Sequence, residues 1–238
     1  MKISATALGE TAGDFFSFSA NQNFRTSTIE MLGLFIFALS FQLKAKSYKP
    51  LIYGAVIFFA SAAGTTMSDL MNHTMALGSI KSSFLTLTVL ISILGYWRYF
   101  AGSLSFDIKT SKVEILYWIA IMFSNTLGTS LGDYILEDTT LGIAESTLLL
   151  VVLLSFIIFL SYLKSGNKII LFWLGFVLTR PFGAIIGTAL TKPIEKGGLN
   201  LDTFTSSFTL LAVLGVCLTR MVLNQKKLNL LNSVAANR

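Results

Sequence analysis

The sequence predicts an all-α integral membrane protein of about eight transmembrane helices, the first one short, organised as four tandem two-helix repeats. Three observations lead there. The composition is too apolar for a soluble domain, the apolar residues fall in runs long enough to cross a bilayer, and a six-residue motif recurs at matching places in alternate runs.

Hydrophobic residues fill 53% of the 238 positions and charged residues only 13%, about half the charged share of an ordinary soluble domain. A chain of this size has too little interior to hide that much apolar surface from water. Crossing about 30 Å of hydrocarbon takes about 20 residues at 1.5 Å each. Runs of that kind cover residues 3–20, 26–44, 50–72, 80–101, 113–136, 143–164, 168–191 and 203–223. Met1, Lys2 and the first run imitate a secretory signal, but Glu10 and Asp14 interrupt it too early. The whole chain, 1–238, reads as one membrane domain: repeats at about 1–46, 50–101, 113–164 and 168–223, then a basic tail 224–238.

Short basic segments connect the runs and set their orientation. Lys2, Lys44, Lys46, Lys49, Arg98, Lys109, Lys112, Lys164, Lys168, Arg220, Lys226, Lys227 and Arg238 fall on one side, 13 of the 18 basic residues. The other side holds Arg25, Lys81, Lys192 and Lys196. Lysine and arginine accumulate on the cytoplasmic side, so both termini are expected there, in a multi-pass protein. Tyr117 and Trp118, with Phe172 and Trp173, then lie where an aromatic belt is expected. The +6 net charge belongs to topology, and nucleic acid is not an expected partner. Cys217 is the single cysteine, which excludes an internal disulfide or a CxxC site.

The motif reads Gly9-Glu-Thr-Ala-Gly13-Asp14, Gly64-Thr-Thr-Met-Ser68-Asp69, Gly128-Thr-Ser-Leu-Gly132-Asp133 and Gly183-Ala-Ile-Ile-Gly187-Thr188. The first glycines are 55, 64 and 55 residues apart, so the second half repeats the first at 119. Two spans per unit keep successive units in the same orientation. Small residues four apart let helix backbones approach closely, which gives Gly9, Gly13, Gly64, Ser68, Gly128, Gly132, Gly183 and Gly187 a packing role.

Asp14, Asp69 and Asp133 are the more informative members. A carboxylate within a span costs on the order of 3 kcal/mol at mid-membrane, less near the interface. Three at equivalent positions imply an acidic pocket facing outward, suited to protons or hard cations, which prefer oxygen ligands. The competing reading is that they only meet headgroups or cap backbone. Thr65, Thr66, Thr129 and Ser130 offer neutral oxygens nearby. Glu10 is a candidate relay, and His73, four residues after Asp69, a candidate relay or metal partner, although a single outer-loop hydrogen bond also explains it. Glu30 and Glu145 are expected to cap helix N-termini. Arg180 lies eight residues before Thr188, near mid-membrane, where its permanent charge calls for carboxylate or carbonyl partners, among them Asp14, Asp69, Asp133 or Glu10. Pro181 beside it removes a helix hydrogen bond. No Ser/His/Asp set, HExxH or phosphate loop is present, so no enzyme activity and no cofactor is expected.

With Thr179-Arg-Pro-Phe-Gly-Ala184, Lys192-Pro193 and Gly197-Gly-Leu199, these motifs resemble a bacterial family of membrane-anchored proteins defined by a tandem two-helix repeat of unknown function, number 347. The resemblance spans almost the whole chain. It implies four repeats in a bacterial inner membrane and names no substrate. Thr188 stands where the family's fourth motif commonly ends in an acid. Trp118 and Trp173 precede their motif glycines by ten residues, whereas ten residues before Gly9 run off the start, which suggests an N-terminal truncation or a late start codon. The expected partners are the bilayer, protons, metal cations or a small solute, and a further copy of the chain. The expected role is a proton- or cation-linked transporter or channel, with a packing-only membrane scaffold as the alternative.

Overall fold

Long apolar runs leave their backbone groups no partner but themselves, and the chain answers with helices. The computed structural model describes residues 23–44, 50–102, 111–163 and 167–191, together with Ala212, Val216, Thr219 and Arg220, which are helical and exposed. Among the described residues there are six α-helices: α1 Phe24–Lys44, α2 Pro50–Asp69, α3 Gly78–Ala101, α4 Ser111–Asp133, α5 Ile143–Tyr162 and α6 Lys168–Thr191. Five are long and apolar enough to cross a membrane, and α6 contributes a shorter apolar stretch, Ile169–Gly183. The helices match the apolar runs of the sequence closely. The expected run 3–20 lies outside the described residues, as does nearly all of 203–223, so eight helices and four repeats are not what the described structure contains.

Local chemistry explains several boundaries. Pro50 opens α2, where its missing N–H costs nothing. Asn167 caps α6, its Oδ1 accepting from the Ile169 N–H at 2.9 Å. Lys44 and Arg98 stand in the last turns of α1 and α3, complementing the helix dipole. Gly102 ends α3 at φ +70°, a conformation that side chains disfavour. Glu145 lies in the first turn of α5, as expected of a cap. Glu30 does not: α1 already begins at Phe24, which puts Glu30 in its second turn.

Two departures from the α-helix stand at equivalent places. α2 passes directly into a π-helical turn, Leu70–Thr74, and α4 into another, Tyr134–Asp138. Asp69 and Asp133 are the last α-helical residues before them, with nearly identical backbone angles. Single π turns are rare and concentrate at functional sites.

The packing unit is offset from the sequence unit. α1 packs on α2, α3 on α4 and α5 on α6, so each pair is joined through a basic segment. α4 packs in addition against both α2 and α6. The apolar stretch of α4 is 72% buried and that of α2 56%, against 33%, 28% and 11% for α1, α3 and α5. Among the described residues the motif helices α2 and α4 are therefore the inner ones, with α1, α3 and α5 outside them.

Side-chain size divides the α2–α4 contact along its length. Toward the motif, α2 buries Ala60, Ser61, Ala62, Ala63, Gly64, Thr65, Thr66 and Ser68. Toward the basic segments the filling is aromatic: Tyr53 meets Trp118 at 5.5 Å, and Trp97 meets Tyr117 at 6.2 Å and Trp173 at 6.4 Å. Trp118 is 1% and Trp173 6% exposed. The expected aromatic belt is thus corrected: these indoles are core, where their area contributes most to packing, and only Phe172 beside them turns outward.

Gly95 lies inside α3 with open space around it. Gly95→Ala should raise stability by about 0.5–1 kcal/mol through the lost freedom of glycine. Gly102→Ala should lower it by about 1 kcal/mol, because its φ is left-handed. Thermal unfolding of the detergent-solubilised protein measures both, and the two shifts should have opposite signs.

Candidate functional site

The site begins with one face of α2. Ser61, Thr65 and Ser68 follow at spacings of four and three, which keeps them on one side of the helix, and Asn72 stands beyond them in the π turn. Ser61, Thr65 and Ser68 are fully buried. Opposite them α4 presents Asn125, Thr129, Ser130 and Asp133, the first three also buried and Asp133 half-buried.

At the motif end the two faces meet in a hydrogen-bonded cluster. The Ser68 and Ser130 hydroxyls lie 2.7 Å apart. Asn72 Nδ2 donates to Asp133 Oδ2 at 3.1 Å, and the Ser68 hydroxyl reaches the same oxygen at 3.5 Å. Asn72 Oδ1 is buried without a hydrogen-bond partner. Asp69 is 5% exposed at the equivalent place on α2. Thr66 belongs to a neighbouring contact: its hydroxyl donates to Ala63 O at 3.2 Å, while its carbonyl accepts from Thr28 of α1 at 2.8 Å.

At the other end of the seam stands Arg180. The side chain is 1% exposed, and its guanidinium donates to the Ser61 carbonyl at 2.7 Å and to the hydroxyls of Ser61 and Thr65. These contacts are with neutral oxygens of α2, whereas the expected partner is an acid, of which Asp14 and Glu10 lie outside the described residues. Pro181 follows, and its ring nitrogen leaves the carbonyl of Val177 without the usual helical donor. That carbonyl is turned toward α4, 3.0 Å from where a Cβ on Gly128 would stand.

The glycines act differently from the symmetric close contact that their spacing suggests. A Cβ on Gly64 would lie 2.7 Å from Asn125 Cβ, and one on Gly128 would overlap the stem of Arg180. Each first glycine thus receives the residue three places before the first glycine of the next motif. Sequence reasoning passed over that position except at Arg180. The signal was present, since the residue there is polar in all four copies: Thr6, Ser61, Asn125 and Arg180.

Asp69, Asp133, Ser68, Gly64, Gly128, Gly132 and Arg180 are therefore brought to one inner row. His73 is not. The π turn inserts an extra residue per turn, so the four-residue spacing from Asp69 no longer means a shared face, and His73 is exposed with its ring stacked on Phe24 at 4.9 Å. Among the described residues no three His, Cys, Asp or Glu side chains gather as metal ligands. Gly183, Gly187 and Thr188 fall on α6, whereas Gly9, Glu10, Gly13 and Asp14 lie outside the described residues.

Comparison with known proteins finds a family match for the second half of the chain, which includes α4 and α6 of this row but not α2. Residues 116–167, which run from α4 through α5, and residues 171–227, which begin in α6, each match the model described as Repeat of Unknown Function (DUF347). The second half of the chain is a tandem pair of DUF347 repeats. No curated protein and no solved structure was found to match. Each DUF347 copy holds one motif, so the seam formed by Ser130, Asp133 and Arg180 draws on both copies, and its other wall, α2, precedes them.

Gly128→Ala should destabilise the fold by about 1–3 kcal/mol, because the groups it meets are a side-chain stem and a backbone carbonyl that cannot swing aside. Gly33→Ala, which meets nothing within 4 Å, should not. A comparable loss at both positions, read from unfolding midpoints, would contradict the close approach described for Gly128.

Proposed function

We propose that the chain is a multi-pass inner-membrane transporter that binds a proton or a monovalent cation in an acidic pocket open to the outside. The observation that carries this reading is the polar seam between α2 and α4, which runs from Asp133 and Asn72 to Arg180 through buried hydroxyls. Lipid-exposed helices gain nothing from such groups. Placed inside a bundle, each is retained at a cost and marks a pathway more often than a scaffold.

The donor set narrows the ion. Asp133, Ser68, Ser130 and the unpartnered Asn72 Oδ1 supply oxygen only, with one formal charge among them. Divalent cations of the hard class favour several carboxylates, so a proton or a monovalent cation fits better. Asp69, buried one helix away, supplies a second protonatable group. In this reading the basic segments are cytoplasmic, the motif ends face out, and runs 3–20 and 203–223 complete four units. A packing-only scaffold is the second reading, favoured by the glycine contacts, which close packing explains by itself.

The two readings separate in a thermal-shift panel of Li⁺, Na⁺, K⁺ and pH on detergent-purified protein. Wild type should be stabilised by one cation or by acid, by about 2.7 kcal/mol at a hundred times the dissociation constant. Asp133→Asn should lose that response while keeping its fold. Flat profiles for both proteins would instead favour the scaffold.

A further inference from the structure

α3 and α6 both pack on α4, and they meet each other near their basic ends, where Trp97 stands 6.4 Å from Trp173. A groove of about 740 Å³ lies between them, floored by Leu127 and Leu131 of α4. Along its α3 wall Ile80, Phe84, Leu87, Ile91 and Leu94 follow at spacings of four, three, four and three, one face of a helix. Ile170, Leu174 and Leu178 belong to the α6 wall. The α3 wall is not covered: Phe84 is 73%, Ile80 61% and Ile91 60% exposed.

Shape decides what can lie there. Ile80 to Leu94 spans fourteen residues, about 21 Å along α3. Spread over that length, 740 Å³ corresponds to a cross-section of about 35 Å². A helix with its side chains is about 10–12 Å across, or about 80–110 Å², so neither a further helix of this chain nor one from a second copy fits inside. A hydrocarbon chain does, and the groove is longer than the roughly 15 Å that half of a 30 Å hydrocarbon core supplies. The polar atoms are placed to match. The hydroxyls among the lining side chains, those of Ser83 and Tyr134, stand at the motif end. Ser83 is 8% exposed, and its Oγ is buried without a hydrogen-bond partner.

We propose that this groove holds one acyl chain of a phospholipid from the motif-side leaflet, inserted between α3 and α6 as a fixed part of the bundle. The Ser83 hydroxyl donates to the ester carbonyl at the head of the chain. Lys81, exposed in the first turn of α3, stands on the phosphate side, and the Trp97–Trp173 contact stops the tail. The lipid supplies contacts between the two walls, and without it their side chains lose those partner atoms. This inference does not depend on the ion proposed above.

The test is native mass spectrometry of the protein after detergent washing that strips loosely held lipid. Wild type should retain one phospholipid per chain. Ile91 and Leu178 stand six and five residues from the Trp97–Trp173 contact on antiparallel helices, so they lie at the same height across the groove. Ile91→Trp combined with Leu178→Trp should therefore close the groove and lose the lipid. A wild type free of lipid, a lipid-free dimer, or equal retention by the folded double variant overturns the proposal. A second measurement needs no variant. Of the three tryptophans, Trp97 and Trp118 are each 1% exposed, and Trp173 lines the groove. In phosphatidylcholine vesicles whose acyl chains carry bromine near their ends, a contact quencher of indoles, the protein's tryptophan emission should fall below its value in unbrominated vesicles. Equal emission in both means that protein covers the groove, and overturns the proposal even if the double variant fails to fold.

Discussion

Hydrogen bonding between helix faces that lipid cannot solvate is the constraint from which the rest of this structure follows. Ser61, Thr65 and Ser68 on α2, with Asn125, Thr129 and Ser130 on α4, are buried in a protein whose outer helices are apolar. Such groups need partners within about 3 Å, and helices approach that closely only where the facing side chains are small. The run from Ala60 to Ser68 meets that demand with nothing larger than a methionine. Gly64 and Gly128 extend it by accepting the stems of Asn125 and Arg180 where a methyl group would collide.

The same close approach decides what happens at the two ends of the inner row. At the basic end the space is taken by Tyr53, Tyr117, Trp97, Trp118 and Trp173, whose rings meet edge to face at 5.5–6.4 Å. Among the described residues the motif end of the row has no such filling, and the α-helices give way to π turns directly after Asp69 and Asp133. A π turn widens the helix and shifts everything beyond it by part of a turn. It keeps the acids in the inner row and turns His73 out to Phe24. A proline does similar work on α6, where it frees the Val177 carbonyl beside the arginine that bridges to α2.

Most of the architecture was legible because its signals are periodic. Runs of about 20 apolar residues marked α1 to α6 within two or three residues, and the recurring motif marked which helices would be inner. Three features escaped, each for a physical reason. The indoles of Trp118 and Trp173 look alike in sequence whether they line a membrane interface or fill a core. The π turns have no composition of their own, so the shared face assumed for Asp69 and His73 failed. Asn72 became visible as a ligand only once that turn brought it back toward Asp133. The partnership of each glycine with the position three before the next motif lies between repeats, where a comparison of copies in isolation does not look.

The measurement that tests this account most directly is a cross-link across the seam. In the Cys217→Ser protein, Ser68→Cys and Ser130→Cys place two sulfurs where hydroxyl oxygens stand 2.7 Å apart, within reach of a disulfide. A protease site inserted within residues 103–110 separates the two halves of the cut chain. The account predicts that mild oxidation keeps the fragments joined until reductant is added, whereas Ser68→Cys paired with Ser92→Cys, on the exposed face of α3, does not. Fragments that separate without reductant in the first pair would contradict the seam, and with it the packing on which Asp133 and Arg180 depend.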